Sequence, residues 1–133
     1  MSVRRATYVD SSAIVKLAVH EPESVVLRRY LARKRPLVTS TLARAEVARA
    51  LLPLGPDAAD RAADVLRRLH FVRINNRILQ AAGALLPADV RTLEAIHLAT
   101  AEQLGTDLAR VCTYDRRMAA AAEDMGWTVV TPR

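Results

Sequence analysis

The chain has 133 residues, 51% of them hydrophobic, which gives one compact domain with a real core and excludes a disordered tail or linker. Twenty Lys and Arg stand against 14 Asp and Glu, for a net charge of +6. Such a balance suits a polyanionic partner such as RNA or an acidic protein segment, and serves solubility equally well.

Ala6 to Val9 reads as a first strand ending at Asp10, and Ser11 can cap a helix running to about His20, with Ile14, Leu17 and Ala18 as its apolar stripe. Pro22 can open the next helix, which carries Val25, Val26, Leu27, Tyr30 and Leu31. Leu37 to Thr39 is a second strand. Ser40 or Thr41 then caps a helix bearing Leu42, Glu46 and Leu51, broken near Pro53 and Gly55.

A further helix runs from Pro56 to about Leu69, and Phe71 to Ile74 is a third strand. Asn75 caps a helix to about Leu86, and Arg91 to Leu104 is strongly helical up to Gly105. Ala109 to Thr113 is a fourth strand. It contains the only cysteine, Cys112, which excludes an internal disulfide or a cysteine zinc site and reads as a small buried hydrophobe. A helix from Asp115 to Met125 ends at Gly126, and Trp127 to Val130 is the last strand. No stretch approaches the ~20 apolar residues that span a bilayer, and the amino-terminal segment has no secretory pattern, so a cytoplasmic protein is expected.

Strands separated by helices demand crossovers. They predict an α/β fold, a three-layer α/β/α sandwich around a mostly parallel sheet of about five short strands in one domain over residues 1–133. In such sheets, sites form outside the carboxyl ends of the strands, where strand order reverses.

Most acidic residues sit at helix starts or on polar faces. Four are placed differently. Asp10 and Asp115 each follow a strand directly, where a carboxylate is either a metal ligand or a helix cap. Glu46 lies on a helix of small and apolar neighbours, with Arg44 and Arg49 as the alternative partners in a surface ion pair. Glu94 lies in the first turns of an apolar helix, where it also gains from the helix dipole. Clustered carboxylates repel one another unless cations are present, and Mg²⁺ or Mn²⁺ are the hard ions that prefer oxygen ligands. Such ions activate water and stabilise the leaving oxygen of a phosphodiester.

The segments YVDSSAIVKL, TSTLARAEVARAL, VRTLEAIHLATA and VCTYDRRMAAAAEDMGW resemble, in order and spacing, the motifs of PIN-domain toxins of the VapC type, over nearly the whole chain. The resemblance implies a PIN-like fold and a metal-dependent endoribonuclease that cleaves cellular RNA with Mg²⁺ or Mn²⁺. It also implies a homodimer that joins a VapB-type antitoxin in a heterotetramer or larger assembly. Carried over by position, Asp10, Glu46, Glu94 and Asp115 are the metal-binding and catalytic acids, while Ser12 and Thr113 orient the site or touch phosphate. Glu94 departs from the aspartate usual there, and its carboxylate reaches ~1 Å farther, a displacement to which catalysis is sensitive. Asp89, five positions earlier, is a lesser candidate. His97, one turn after Glu94, is either a general base or a histidine that packs and hydrogen-bonds near the site, and the second reading is preferred. His20 and His70 are read as residues at helix ends.

Two rivals stand beside the toxin reading. One is a catalytically weakened PIN-like module that binds RNA or a protein without cutting. The other is a metal-dependent phosphatase, disfavoured because an aspartyl nucleophile there calls for Asp-x-Asp where the chain has Asp10, Ser11 and Ser12.

Overall fold

A computed structural model describes residues 5–133; Arg4, counted above with the positive charge, lies outside them. Five strands, β1 (Ala6–Val9), β2 (Leu37–Ser40), β3 (His70–Val72), β4 (Leu108–Cys112) and β5 (Val129–Val130), form one sheet in the order β3-β2-β1-β4-β5. Every pairing is parallel. The helices are α1 (Ser11–Ala18), α2 (Ser24–Ala32), α3 (Leu42–Leu51), α4 (Pro56–Leu66), α5 (Asn76–Gly83), α6 (Thr92–Glu102) and α7 (Arg116–Asp124).

The pleat sorts the core into two layers. Val9, Leu37 and Cys112 pack against Ile14, Leu27, Val47 and Leu66 of α1–α4. Their strand neighbours Tyr8 and Val111 point the other way, against Leu98 of α6 and Met118 of α7. A third cluster joins Ile78 of α5 to Ile96 and Ala99 of α6. A strand covered on both faces is buried throughout, as β1 is, with Thr7 satisfied by the Lys34 carbonyl. No helix among the described residues is long and apolar enough to cross a membrane.

Several boundaries differ from the periodic reading, each because local hydrogen bonds overrule it. The second helix starts at Ser24, not Pro22, because the Ser24 hydroxyl accepts from the Glu21 amide and donates to the Val19 carbonyl, closing a turn first. The helix carrying Glu94 stops at Glu102, three residues short of Gly105, as the Gln103 and Leu104 amides tighten onto the Thr100 and Ala101 carbonyls. The helix capped by Asn75 ends at Gly83, leaving Leu86 76% exposed. His70 opens β3 in place of ending a helix. Gly126 does stop α7: at φ +84° it lets the Trp127 amide reach back to the Ala122 carbonyl.

Sequence order runs β1, β2, β3 toward one edge and then crosses back to place β4 and β5 on the other side of β1. The reversal falls between β1 and β4. The residues leaving their carboxyl ends, Asp10 and Thr113 onward, therefore flank one crevice.

Candidate active site

That crevice is a cavity of about 310 Å³, and Asp10, Glu46, Glu94 and Asp115 all line it, together with Ser12, Arg91 and His97. Four segments far apart in the chain contribute: the ends of β1 and β4, the middle of α3 and the first turn of α6. Asp10, Glu94 and Asp115 stand at the amino ends of α1, α6 and α7, where unpaired backbone amides and the helix dipole favour negative charge.

Asp10 is buried, and its carboxylate accepts from the Ala13 amide (3.1 Å) and from the hydroxyls of Ser12 (2.7 Å) and Thr113 (2.5 Å). Burial pushes its ionisation above the ordinary aspartate range, and the two hydroxyl donors oppose that without cancelling it. The Thr113 hydroxyl also accepts from the Asp115 amide at 3.0 Å, and Ser12 accepts from the Tyr114 amide at 2.9 Å. Ser12 and Thr113 thus tie the two strand-end carboxylates into one network. For Asp115, Oδ1 accepts from the Arg117 and Met118 amides at 2.9 and 3.0 Å. Capping is therefore observed for both aspartates, and for Asp115 it engages Oδ1, with no protein donor to Oδ2 among the described residues.

Glu46 pairs with neither Arg44 nor Arg49. Arg44 instead lies 4.0 Å over the Phe71 ring. Glu46 Oε1 accepts from Ser11 Oγ (2.6 Å) and His97 Nε2 (2.6 Å). Burial raises its pKa, but these two donors outweigh burial and the net direction is down. Glu94 is only loosely held, its Oε2 accepting from the Arg91 amide at 3.4 Å. Leu93 beside it is 48% exposed, so this end of α6 is less covered than its apolar sequence predicts. Asp89 is exposed and lines a different depression with Pro87 and Arg117. Among the described residues, no three His, Cys, Asp or Glu side chains stand close enough together to hold one ion by themselves.

The family model for the PIN domain matches residues 7–124. Ribonuclease VapC46 of Mycobacterium tuberculosis is 57% identical over 127 residues, covering 96% of this chain and 98% of that protein. Ribonuclease VapC47 of the same species is 34% identical over 130 residues, covering 94% and 96%. The chain belongs to the VapC branch of the PIN-domain family. Solved structures at lower identity share its fold. The crystal structure of M. tuberculosis VapC20, described as a sarcin-ricin loop cleaving toxin, superposes with a TM-score of 0.77 at 21% identity, over 95% of this chain and 99% of that one. A toxin-antitoxin complex from Klebsiella pneumoniae gives 0.73 at 21% identity, over 96% and 98%.

Within this VapC-family chain, the structure brings together all four acids singled out from the sequence, with Ser12 and Thr113 beneath them. The sequence passes over Ser11, read only as a cap, and Tyr8, read only as part of the first strand. For His97 the preferred reading, a histidine that packs and hydrogen-bonds near the site, agrees with its bonds to Tyr8 and Glu46. A usable signal existed for His97: Glu94 and His97, three apart, share one helix face. Nothing in the sequence marks Tyr8 as more than a strand residue.

Proposed function

We propose that this chain is an endoribonuclease toxin that cleaves cellular RNA and is neutralised by a cognate VapB-type antitoxin. The observation that carries this reading is the convergence of Asp10, Glu46, Glu94 and Asp115 on one cavity at the strand-order reversal. The all-oxygen donor set fits Mg²⁺ or Mn²⁺, and Mg²⁺ in particular is commonly held by one or two carboxylates plus waters and substrate phosphate. That habit accords with acids gathered around a cavity without closing on a single point. Of Asp10, Glu46, Glu94 and Asp115, one or two would hold an ion directly and the others through its waters. When bound, the ion supplies an activated water and charge neutralisation at the phosphodiester. Ser12 and Thr113 keep the Asp10 carboxylate oriented, Ser11 and His97 do the same for Glu46, and Arg91 at the rim offers a fork for phosphate.

The antitoxin reading draws on a second cavity, of about 350 Å³, near the amino end of β2. Arg28, Arg35, Arg61 and Arg68, with Asp64 as the one acid among them, surround an apolar floor that includes Leu31 and Leu69, a surface of net positive charge complementary to an acidic amphipathic segment. Leu52 and Leu54, 67% and 61% exposed, offer further apolar area for a homodimer or the antitoxin.

The test is cleavage of RNA by purified protein with Mg²⁺ or Mn²⁺, followed by sequencing of the new 5′ ends. Asp10→Asn and Asp115→Asn are expected to abolish cutting; full activity in both variants would defeat the nuclease reading. The non-cutting alternative rests on the glutamate at position 94, and predicts RNA binding with no metal-dependent cleavage.

A further inference from the structure

Tyr8, His97 and Glu46 form a linear chain of hydrogen bonds that runs from the sheet interior to the cavity. Tyr8 is fully buried on β1, and its hydroxyl lies 2.6 Å from His97 Nδ1. His97 is 4% exposed on α6, and its Nε2 lies 2.6 Å from Glu46 Oε1 on α3. Tyr8 and His97 rings meet edge to face, 74° apart with centroids at 5.8 Å, so the imidazole is held in plane as well as at its ends.

The carboxylate at one end sets the direction of the bonds for a neutral imidazole. An ionised carboxylate only accepts, so Nε2 carries the proton and donates to Glu46. A phenol both donates and accepts, and a neutral imidazole with its proton on Nε2 leaves Nδ1 only a lone pair, so in that form Tyr8 donates and Nδ1 accepts. Ser11 donates to the same Glu46 oxygen as His97. Oε1 is thus doubly engaged, while Oε2 accepts from no protein donor among the described residues.

We propose that Tyr8 and His97 are positioning residues for Glu46: Tyr8 locks His97 in its Nε2–H form, and His97 anchors Glu46 Oε1 so that Oε2 faces the cavity for a divalent ion. This rests on the nuclease reading for its consequence and on the local geometry for its existence. It differs from the general-base role weighed for His97, because Nε2 spends its proton on Glu46 and Nδ1 is covered by Tyr8, leaving neither nitrogen for a water.

The assignment is tested first by ¹⁵N spectra of the imidazole in metal-free full-length protein. The Nε2–H tautomer is expected for His97 in the wild type, with the Nδ1 resonance shifted in Tyr8→Phe by loss of its hydrogen bond; an Nδ1–H form in the wild type, or an Nδ1 resonance unmoved in Tyr8→Phe, would overturn it. The second arm is kinetic, with Mg²⁺ and Mn²⁺ as the probes. His97→Ala is expected to lower kcat about 10- to 100-fold, the usual effect of removing a residue that orients a metal ligand, with little change in KM for RNA. His97→Gln, whose amide can donate to Glu46 in place of Nε2, should recover part of the loss. A folded His97→Ala with undiminished kcat, or a His97→Gln no better than His97→Ala, would refute the positioning role. Were the wild type to cut no RNA, the nuclease reading would fall while the imidazole spectrum still decided the hydrogen-bond chain.

Discussion

Asp10→Asn is expected to abolish cleavage and, in metal-free buffer at neutral pH, to make the protein more stable. Asp10 is 4% exposed, and burial disfavours its charged form more strongly than its three donors favour it. Asparagine caps a helix as well as aspartate does, so the bond from the Ala13 amide survives. The Ser12 hydroxyl can still donate to the amide oxygen, and the Thr113 hydroxyl must turn to accept from the amide nitrogen, which costs about 1 kcal/mol at most. Against that stands removal of a buried, incompletely compensated charge, a relief of a few kcal/mol. The net gain is about 1–3 kcal/mol, or roughly 3–10 °C in Tm for a chain of this size. The sign follows from linkage. A folded-state pKa above the unfolded value of about 3.9 means the folded wild type binds more protons in that window, so its stability falls as pH rises through it. The gap between variant and wild type should therefore narrow as pH falls from neutral toward the unfolded value. Saturating Mg²⁺ or Mn²⁺ at a hundredfold excess over Kd should return about 2.7 kcal/mol to the wild type and little to the variant. Thermal melts with EDTA and with each metal measure all three effects. An Asp10→Asn protein less stable than the wild type in EDTA at pH 7 would show that the donors outweigh burial, and the reasoning would fail.

Thr113→Val keeps the shape of a fully buried side chain but removes the donor to Asp10 and the acceptor of the Asp115 amide. It should cost about 1–3 kcal/mol by urea denaturation and raise the Mn²⁺ concentration for half-maximal cleavage about tenfold or more. Glu94→Gln should lower cleavage at least tenfold, whereas Glu94→Asp, drawing the carboxylate back by ~1 Å, should retain cutting and alter the ratio of Mg²⁺- to Mn²⁺-supported rates; equal rates for Glu94→Gln and wild type would remove Glu94 from the site. Arg28→Glu with Arg61→Glu should weaken antitoxin binding by calorimetry at low salt while leaving RNA cleavage intact, and unchanged affinity would place the antitoxin elsewhere. Leu98→Ala, emptying a fully buried position under β1 and β4, should cost about 2–5 kcal/mol, read as a lowered denaturation midpoint.

The alternation of strands and helices, and with it the parallel sheet, was legible in the sequence because the apolar periods of 2 and 3.6 are local properties. So was the candidacy of Asp10 and Asp115, since a polar residue ending an apolar strand stands where the chain leaves the sheet. Helix ends were less legible: at Ser24, Gln103 and Ala84 they are settled by local hydrogen bonds whose partners the periodicity does not reveal. What only the tertiary structure decided is which side chains meet. Strand order brings β4 beside β1, and the pleat turns Tyr8 toward α6 while Val9 faces α1. Tyr8, Glu46 and His97 are separated by up to 89 residues, and no local pattern encodes a contact that exists because a crossover reverses direction. The sequence alone thus determined the kinds of residue available for a carboxylate centre; packing determined that a buried tyrosine and histidine stand behind one of its carboxylates, because only a folded sheet sets their distances.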